Sequence, residues 1–226
     1  MHVPAIFQVT PCYQPQYNRG MTELEKMLAG LIYDCSDPEI AALQRKLNAL
    51  NEEWNLLPSS SPKRAELLRQ FAPNVHPSCS LRGPVYFDYG CNLYMGPNCY
   101  VNYNFTALDV CPIRIGEGTH IGSGVSLLTP LHPLDADDRA IYINERGAIT
   151  DKEYAAPITI GEHCWIASNV TILPGVTIGK NTVIGAGSVV TKDIPEGVLA
   201  FGNPCKVIRK IREEDKLKYH PELFGE

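Results

Sequence analysis

An aliphatic residue occupies every sixth position in the second half of the chain, from Ile160 to Val190. An amphipathic helix repeats its apolar face every three or four residues and a half-buried strand every two, so neither explains this period. The period is typical of a parallel β-helix, in which short strands and corners form a triangular prism filled by the aliphatic side chains. The residues that carry it are Ile160, Ile166, Ile172, Ile178, Ile184 and Val190.

The same period continues toward the N-terminus, although less regularly, with two-residue slips near Leu93 and Ile113. We therefore predict a β-helix over residues 75–200. The period is absent between Leu128 and Ile158, and a stretch of this length must leave the prism as an extruded loop at about 129–157. Long loops in compact domains are usually functional. The earlier apolar positions are Leu81, Phe87, Met95, Val101, Ala107, Ile115 and Ile121.

Helix signals come before the repeats and turn signals follow them. Thr22 with Glu25 forms a capping box, and Asp37 with Pro38 and Ser61 with Pro62 supply two further helix starts, so residues 21–74 are predicted to be helical. Residues 1–20 contain several prolines and no apolar period, which predicts an extended arm. After a turn at Gly202 and Pro204, residues 201–226 are predicted to end in a basic helix.

Composition limits the classes of function. The 226 residues are 44% hydrophobic and 20% charged, as expected for a soluble globular protein. A formal net charge of −5 argues against broad binding to nucleic acid or anionic membranes. We expect a cytoplasmic protein, because the sequence has no apolar run long enough to span a membrane and no secretory signal. The eight cysteines contain no C-x-x-C pair and are expected to be free thiols.

Several stretches resemble one family closely. The segments VYFDYGCN, LDVCPIRIG, TPLHP and PITIGEHCWIASNVTILPGVTIG are similar to the maltose and galactoside O-acetyltransferase group of the hexapeptide-repeat acyltransferases, over about residues 21–212. The resemblance implies a mainly β, left-handed parallel β-helix. It also implies acetyl-CoA as the donor co-substrate, with no other cofactor, and a sugar hydroxyl as the acceptor. The expected assembly is a homotrimer with its sites in the clefts between neighbouring prisms.

The resemblance assigns the role of general base to His132, in the T-x-x-H-P part of the extruded loop. A sugar hydroxyl is a poor nucleophile at neutral pH, and imidazole, with an ordinary pKa of about 6.5, suits removal of its proton. The thioester is already activated, so the reaction requires neither a metal nor a covalent intermediate. His120 and His163 stand inside hexads and are interpreted as surface residues of the coils.

The resemblance also assigns residues to the two substrates. Asp88 and Tyr100 match acceptor-binding positions. Ser168 matches a position near the thioester, where a hydroxyl or backbone N–H could stabilise an oxyanion. Lys206 and Arg209 match the pair that meets the CoA nucleotide, where cationic groups suit phosphates. The full set of predicted CoA-binding residues is Asn102, Trp165, Ser168, Ala186, Thr191, Lys192, Lys206 and Arg209.

The chain departs from the family on the acceptor side. Where galactoside enzymes carry aspartates it has Cys35, which follows Asp34, and Val110, which follows Asp109. The acceptor therefore stays open, as does the question of whether Asp34 or Asp109 replaces those aspartates. The main alternative is a xenobiotic, amino-sugar or serine acetyltransferase. A zinc enzyme like the γ-carbonic anhydrases would need three histidine ligands, and a non-catalytic trimeric scaffold is a further alternative.

Overall fold

The structure is a computed structural model and describes residues 20–225, so the predicted arm lies outside the described residues except for Gly20. The chain forms a left-handed parallel β-helix of about six turns, as predicted, with helices packed on its N-terminal end. Within the part of the chain that is described, no helix is long and apolar enough to cross a membrane.

The prism has three faces, each a ladder of parallel strands. The first face contains β4 (Leu93–Met95), β7 (Ile113–Ile115), β14 (Ile158–Ile160) and β17 (Thr177–Ile178). The second contains β2 (Ser80–Leu81), β5 (Tyr100–Val101), β8 (His120–Ile121), β15 (Trp165–Ile166), β18 (Val183–Ile184), β20 (Val198–Phe201) and the antiparallel β21 (Lys206–Lys210). The third contains β3 (Val85–Phe87), β6 (Phe105–Leu108), β9 (Ser126–Leu128), β16 (Thr171–Ile172) and β19 (Val189–Val190).

The predicted hexad residues fill the prism. All six aliphatic positions from Ile160 to Val190 are no more than 1% exposed, which confirms their inward orientation. In the ladder, Ile166 pairs with Ile121 on one side and Ile184 on the other. The slips near Leu93 and Ile113 have a simple cause. Strands β4 and β7 are three residues long and bury the residues at both of their ends.

From residue 20 onward, three helices precede the prism: α1 (Glu23–Leu28), α2 (Pro38–Leu56) and α3 (Lys63–Phe71). The capping box of Thr22 and the N-cap of Asp37 are confirmed. The predicted role of Ser61 is wrong, because Pro62 is the N-cap of α3 and no side chain caps this helix. The Phe71 ring packs edge-on against Trp54 and tilted against Phe87, and the three rings close the N-terminal end of the prism.

The segment without hexads leaves the prism after β9 and returns at β14. Its strands are β10 (Pro130–Leu131), β11 (Tyr142–Ile143), β12 (Ile149–Thr150) and β13 (Lys152–Ala155). β13 lies between β10 and β1 (Tyr33–Asp34), which joins the loop to the segment between the first two helices. Thr129 anchors the base of the loop, since its hydroxyl donates to the Leu108 carbonyl and accepts from the Cys111 N–H.

The predicted C-terminal helix is wrong. The basic segment after Pro204 is strand β21, which pairs antiparallel with β20, and only three short 3-10 turns follow, at 213–215, 217–219 and 221–224. The physical reason is the open edge of the last coil, whose unpaired backbone groups need partners. The β-branched Val207 and Ile208 also favour an extended backbone.

The cysteines agree with a framework that does not depend on disulfides. Six of those within residues 20–225 are free thiols: Cys35, Cys79, Cys91, Cys99, Cys164 and Cys205. Cys12 lies outside the described residues.

Candidate functional site

His132 follows β10 and stands at the prism edge between the third and first faces, here called the loop edge. Its side chain is 46% exposed, and its Nδ1 lies 3.4 Å from Oδ2 of Asp151. A carboxylate on Nδ1 favours the tautomer in which Nε2 carries the free lone pair. The ring is therefore positioned to accept a proton at Nε2 from a group in solvent.

Carboxylates surround this histidine. Burial raises the pKa of Glu153, whereas the hydroxyl of Tyr33 and the charge of His132 lower it. Burial, together with the charges of Asp109 and Glu153, raises the pKa of Asp88 to about 7. Asp88 directly follows β3 and so stands on the loop edge too. His132 and Asp88 thus stand on the same edge, and each interacts electrostatically with Glu153.

The two aspartates beside the departures from the family are both engaged internally. Asp109 is fully buried and accepts hydrogen bonds from the backbone N–H groups of Tyr89 and Asn92. Asp34 forms an ion pair with Arg146 at 2.7 Å. Burial opposes its ionisation, but hydrogen bonds from neighbouring side chains, beginning with that of Ser36, lower the pKa of Asp34 to about 2. Asp109 therefore holds a turn, and Asp34 holds the extruded loop.

Cys35 is linked to His132 through Asp151. Its thiol donates to Oδ1 of Asp151 at 3.5 Å and lies 3.4 Å from the hydroxyl of Thr150. Asp151 consequently contacts Cys35 with one oxygen and His132 with the other. The Cys35 thiol thus contacts the same carboxylate as His132.

Three of the predicted substrate residues, Tyr100, Trp165 and Arg209, lie in one row across the second face of the prism. Across the ladder, Tyr100 aligns with His120, Trp165, Val183, Leu199 and Arg209 in turn. These five strand spacings of about 4.8 Å give a row roughly 24 Å long. The Tyr100 ring packs edge-on against His120, and Trp165 is 56% exposed. Such a length suits an elongated ligand.

More predicted donor residues stand at the edge between the second and third faces, here called the second edge. Ser168 and Ala186 occupy equivalent corners of adjacent coils, and the Ser168 carbonyl accepts from the N–H of Gly187 at 3.0 Å. Gly122 keeps this corner tight, because a Cβ there would lie 2.6 Å from the Ser168 nitrogen. The amide oxygen of Asn102 accepts from the N–H of Tyr103, which fixes the orientation of its side chain.

The remaining predicted donor residues lie near the C-terminal end. Thr191 and Lys192 follow β19, so they are on the loop edge rather than the second edge. Lys206 is exposed on β21. Arg209 is on the same strand, but both of its terminal nitrogens bind Asp215, at 2.6 and 2.7 Å. A phosphate would have to compete with Asp215 for this guanidinium.

Within one chain, the predicted residues thus fall into two groups. His132, Asp88, Thr191 and Lys192 follow the loop edge. The others, with Lys206 and Arg209 at the C-terminal end, follow the second face and the second edge. One side of the triangle separates the groups, and six residues at about 3.3 Å per residue make that side at most roughly 20 Å long. Within a single prism, the two groups therefore stand on different edges.

Sequence reasoning missed Asp151, Glu153 and Tyr33. The signal for the two acids was the charged DKEY stretch inside the extruded loop. Tyr33 had no such signal, since only the antiparallel pairing of β1 with β13 places it opposite Glu153. His120 and His163 are exposed, as predicted, and neither contacts His132 in the described structure. Across residues 20–225, no three His, Cys, Asp or Glu side chains form a group that could hold a metal ion.

Two family models match this chain. The bacterial transferase hexapeptide (six repeats) model matches residues 157–192. The maltose acetyltransferase hexapeptide capping motif matches residues 26–72, which include most of the helical segment.

Known proteins match most of the chain. The galactoside O-acetyltransferase of Escherichia coli is 43% identical over 88% of this chain and 95% of its own length. A maltose O-acetyltransferase structure from Clostridium difficile is 40% identical, has a TM-score of 0.77, and covers 85% of this chain and 99% of its own. A structure of galactoside acetyltransferase in complex with coenzyme A is 38% identical and has a TM-score of 0.78. The match covers 86% of this chain and 94% of that one.

Proposed function

This chain belongs to the maltose and galactoside O-acetyltransferase family of hexapeptide-repeat acyltransferases, and we propose that it transfers an acetyl group from acetyl-CoA to a hydroxyl of a sugar, with His132 as the general base. That it is an acyltransferase follows from the family. The choice of a sugar rests on relatives named for maltose and galactoside.

The observation that carries the role of His132 is its contact with Asp151. The carboxylate at Nδ1 leaves Nε2 as the basic nitrogen, and the half-exposed ring is accessible to a substrate. Imidazole is neutral over part of the physiological pH range and can both accept and return a proton. The acidic groups around it also stabilise the imidazolium that forms in between.

The proposed reaction is a direct transfer. Nε2 of His132 takes the proton of the acceptor hydroxyl as its oxygen attacks the thioester carbonyl carbon. The negative charge that develops on the carbonyl oxygen is stabilised by the Ser168 hydroxyl or a neighbouring backbone N–H. The tetrahedral species then collapses, the carbon–sulfur bond breaks, and the imidazolium returns its proton to the departing CoA thiolate. The products are the acetyl ester and CoA.

The separation of the two residue groups supports a site shared between copies of the chain. We propose that the loop edge of one prism faces the second face and second edge of another in a homotrimer. His132 and Asp88 would then come from one subunit, and Tyr100, Asn102 and Ser168 from its neighbour. Cyclic assemblies repeat such a heterologous contact and close the ring.

The experiment that tests this function measures acetyl-CoA consumption against a panel of mono- and disaccharides, hydroxylated antibiotics, amino sugars and serine. We expect turnover with a sugar, and a loss of at least about 10²-fold in kcat for His132→Ala with CoA affinity retained. The matched control is His163→Ala, which removes an exposed histidine of the coil surface. Turnover of antibiotics or serine in preference to every sugar would contradict the proposed acceptor, and near-normal kcat in His132→Ala would contradict the proposed base.

A further inference from the structure

Arg64, in the first turn of α3, is a buried cation without a counter-charge. It is 8% exposed, its guanidinium carbon lies 3.5 Å above the Trp54 ring, and its Nη2 donates to the Arg82 carbonyl at 3.1 Å. Its Nε is buried and has no hydrogen-bond partner. Among residues 20–225, no carboxylate lies within ion-pair distance of it. Burial of an unpaired charge is costly, so this arrangement requires an explanation.

Arg64 lines a cavity of about 290 Å³ between α3 and the first coil of the prism. The polar groups of its wall are hydrogen-bond donors: a second arginine, Arg69, and the hydroxyls of Ser59, Ser61 and Ser80. No aspartate or glutamate lines it, whereas two arginines do. The cavity is therefore positively charged and has the size of a site for a small molecule.

The local backbone is adapted to hold Arg64 in place. Gly83 has a φ of +76°, and a Cβ at this position would lie 2.6 Å from both Nη2 of Arg64 and the Trp54 ring. A side chain there would displace the stacked pair. The N-terminal segment cannot neutralise the cation with a side chain either, because residues 1–19 contain no aspartate or glutamate.

We propose that this cavity binds a small oxyanion of the phosphate class, held by the guanidinium of Arg64 and the surrounding serine hydroxyls. A planar guanidinium matches two oxygens of such a group, and a bound anion supplies the missing counter-charge. The site is at the N-terminal end of the prism, whereas Lys206 and Arg209 are at the C-terminal end. It is thus separate from the proposed CoA phosphate site and does not depend on the proposed acetyl transfer.

The test is calorimetric titration of the full-length protein with inorganic phosphate at constant ionic strength. Saturating CoA is present so that the donor site is occupied. We expect saturable binding to the wild type and a loss of roughly tenfold or more in affinity for Arg64→Gln, since charge-assisted hydrogen bonds are lost. Arg45→Gln is the matched control, because Arg45 is an exposed arginine of the neighbouring helix α2, and this variant should bind like the wild type.

A parallel titration with phenyl phosphate distinguishes a free anion from a phosphate ester, which would bind more tightly against the apolar part of the wall.

If Arg64→Gln does not fold, Arg69→Gln and Ser80→Ala decide the question through smaller losses of affinity. Equal phosphate binding by wild type and Arg64→Gln, or by wild type and both substitute variants, would overturn the proposal. Competition between phosphate and the acceptor for one site would also overturn it, because the cavity would then belong to the acceptor site.

Discussion

Subunit complementation tests the shared site directly. One copy carries His132→Ala, which removes the base on the loop edge. The other carries Tyr100→Ala with Asn102→Ala, which removes groups from the second face and second edge. Each homotrimer should have less than about 1% of wild-type activity, on the scale of a lost general base. The two copies carry different affinity tags, and trimers that contain both are purified through both tags.

The expected activity of the mixed trimers follows from the geometry. In the proposed trimer, each cleft takes His132 from one subunit and Tyr100 from the next, because one side of the prism separates the two residue groups. In a closed ring with two copies of one kind and one of the other, one cleft in three has both groups intact. Mixed trimers should therefore recover about a third of wild-type activity, well above either parent.

The assay should follow acetyl-CoA chromatographically, because partly exposed thiols such as those of Cys35 and Cys205 can react with the disulfide reagents that detect CoA. The control is a mixed trimer of two differently tagged His132→Ala copies, which has no intact cleft. Dual-tagged trimers that are no more active than this control would refute the shared site. Such a result would mean that the reaction takes place within a single prism.

Three further predictions follow from particular contacts. Asp151→Asn should lower kcat by about 10-fold or more without changing the KM for acetyl-CoA, because Nδ1 of His132 loses its carboxylate. A changed KM for acetyl-CoA with a normal kcat would contradict the role of Asp151 as the partner of His132. Asp215→Ala should lower the KM for acetyl-CoA by up to about 5-fold at low salt, since an ion pair between exposed side chains competes only weakly for Arg209. A raised KM would mean that Asp215 orients Arg209 for the donor. The raised pKa of Asp88, about 7 against 3.8, means that its ionisation destabilises the fold as the pH rises through that range. Asp88→Asn should therefore gain about 1–2 kcal/mol relative to wild type between pH 5 and pH 8 in urea unfolding, and no change in that difference would show that Asp88 is freely solvated.

The repeats and helix caps were predictable because their causes are local. Aliphatic residues at every sixth position are all buried when the chain forms a β-helix prism. Ile166 and Ile172 are fully buried for this reason. The capping box of Thr22 and Glu25 spans three residues and depends on nothing distant. The family resemblance was also within reach of the sequence, because its motifs are contiguous segments of the chain.

The C-terminal segment was not predictable in this way. A basic, amphipathic stretch is compatible with a helix, and Lys206–Lys210 becomes a strand because the last coil leaves an edge to be paired. The strand that pairs with this segment, β20, resembles the other strands of the prism in its sequence. The competition between helix and strand is settled by tertiary hydrogen bonds.

The sequence by itself determined the prism, the extruded loop and the residue types suited to acetyl transfer, because period, loop length and motif are all properties of neighbouring positions. Only the tertiary structure decided which of those residues meet. It placed Asp151 between His132 and Cys35, engaged Asp34 with Arg146, and put Tyr100 one side of the prism away from the histidine. These relations depend on how distant coils and loops stack, and no spacing along the chain encodes them.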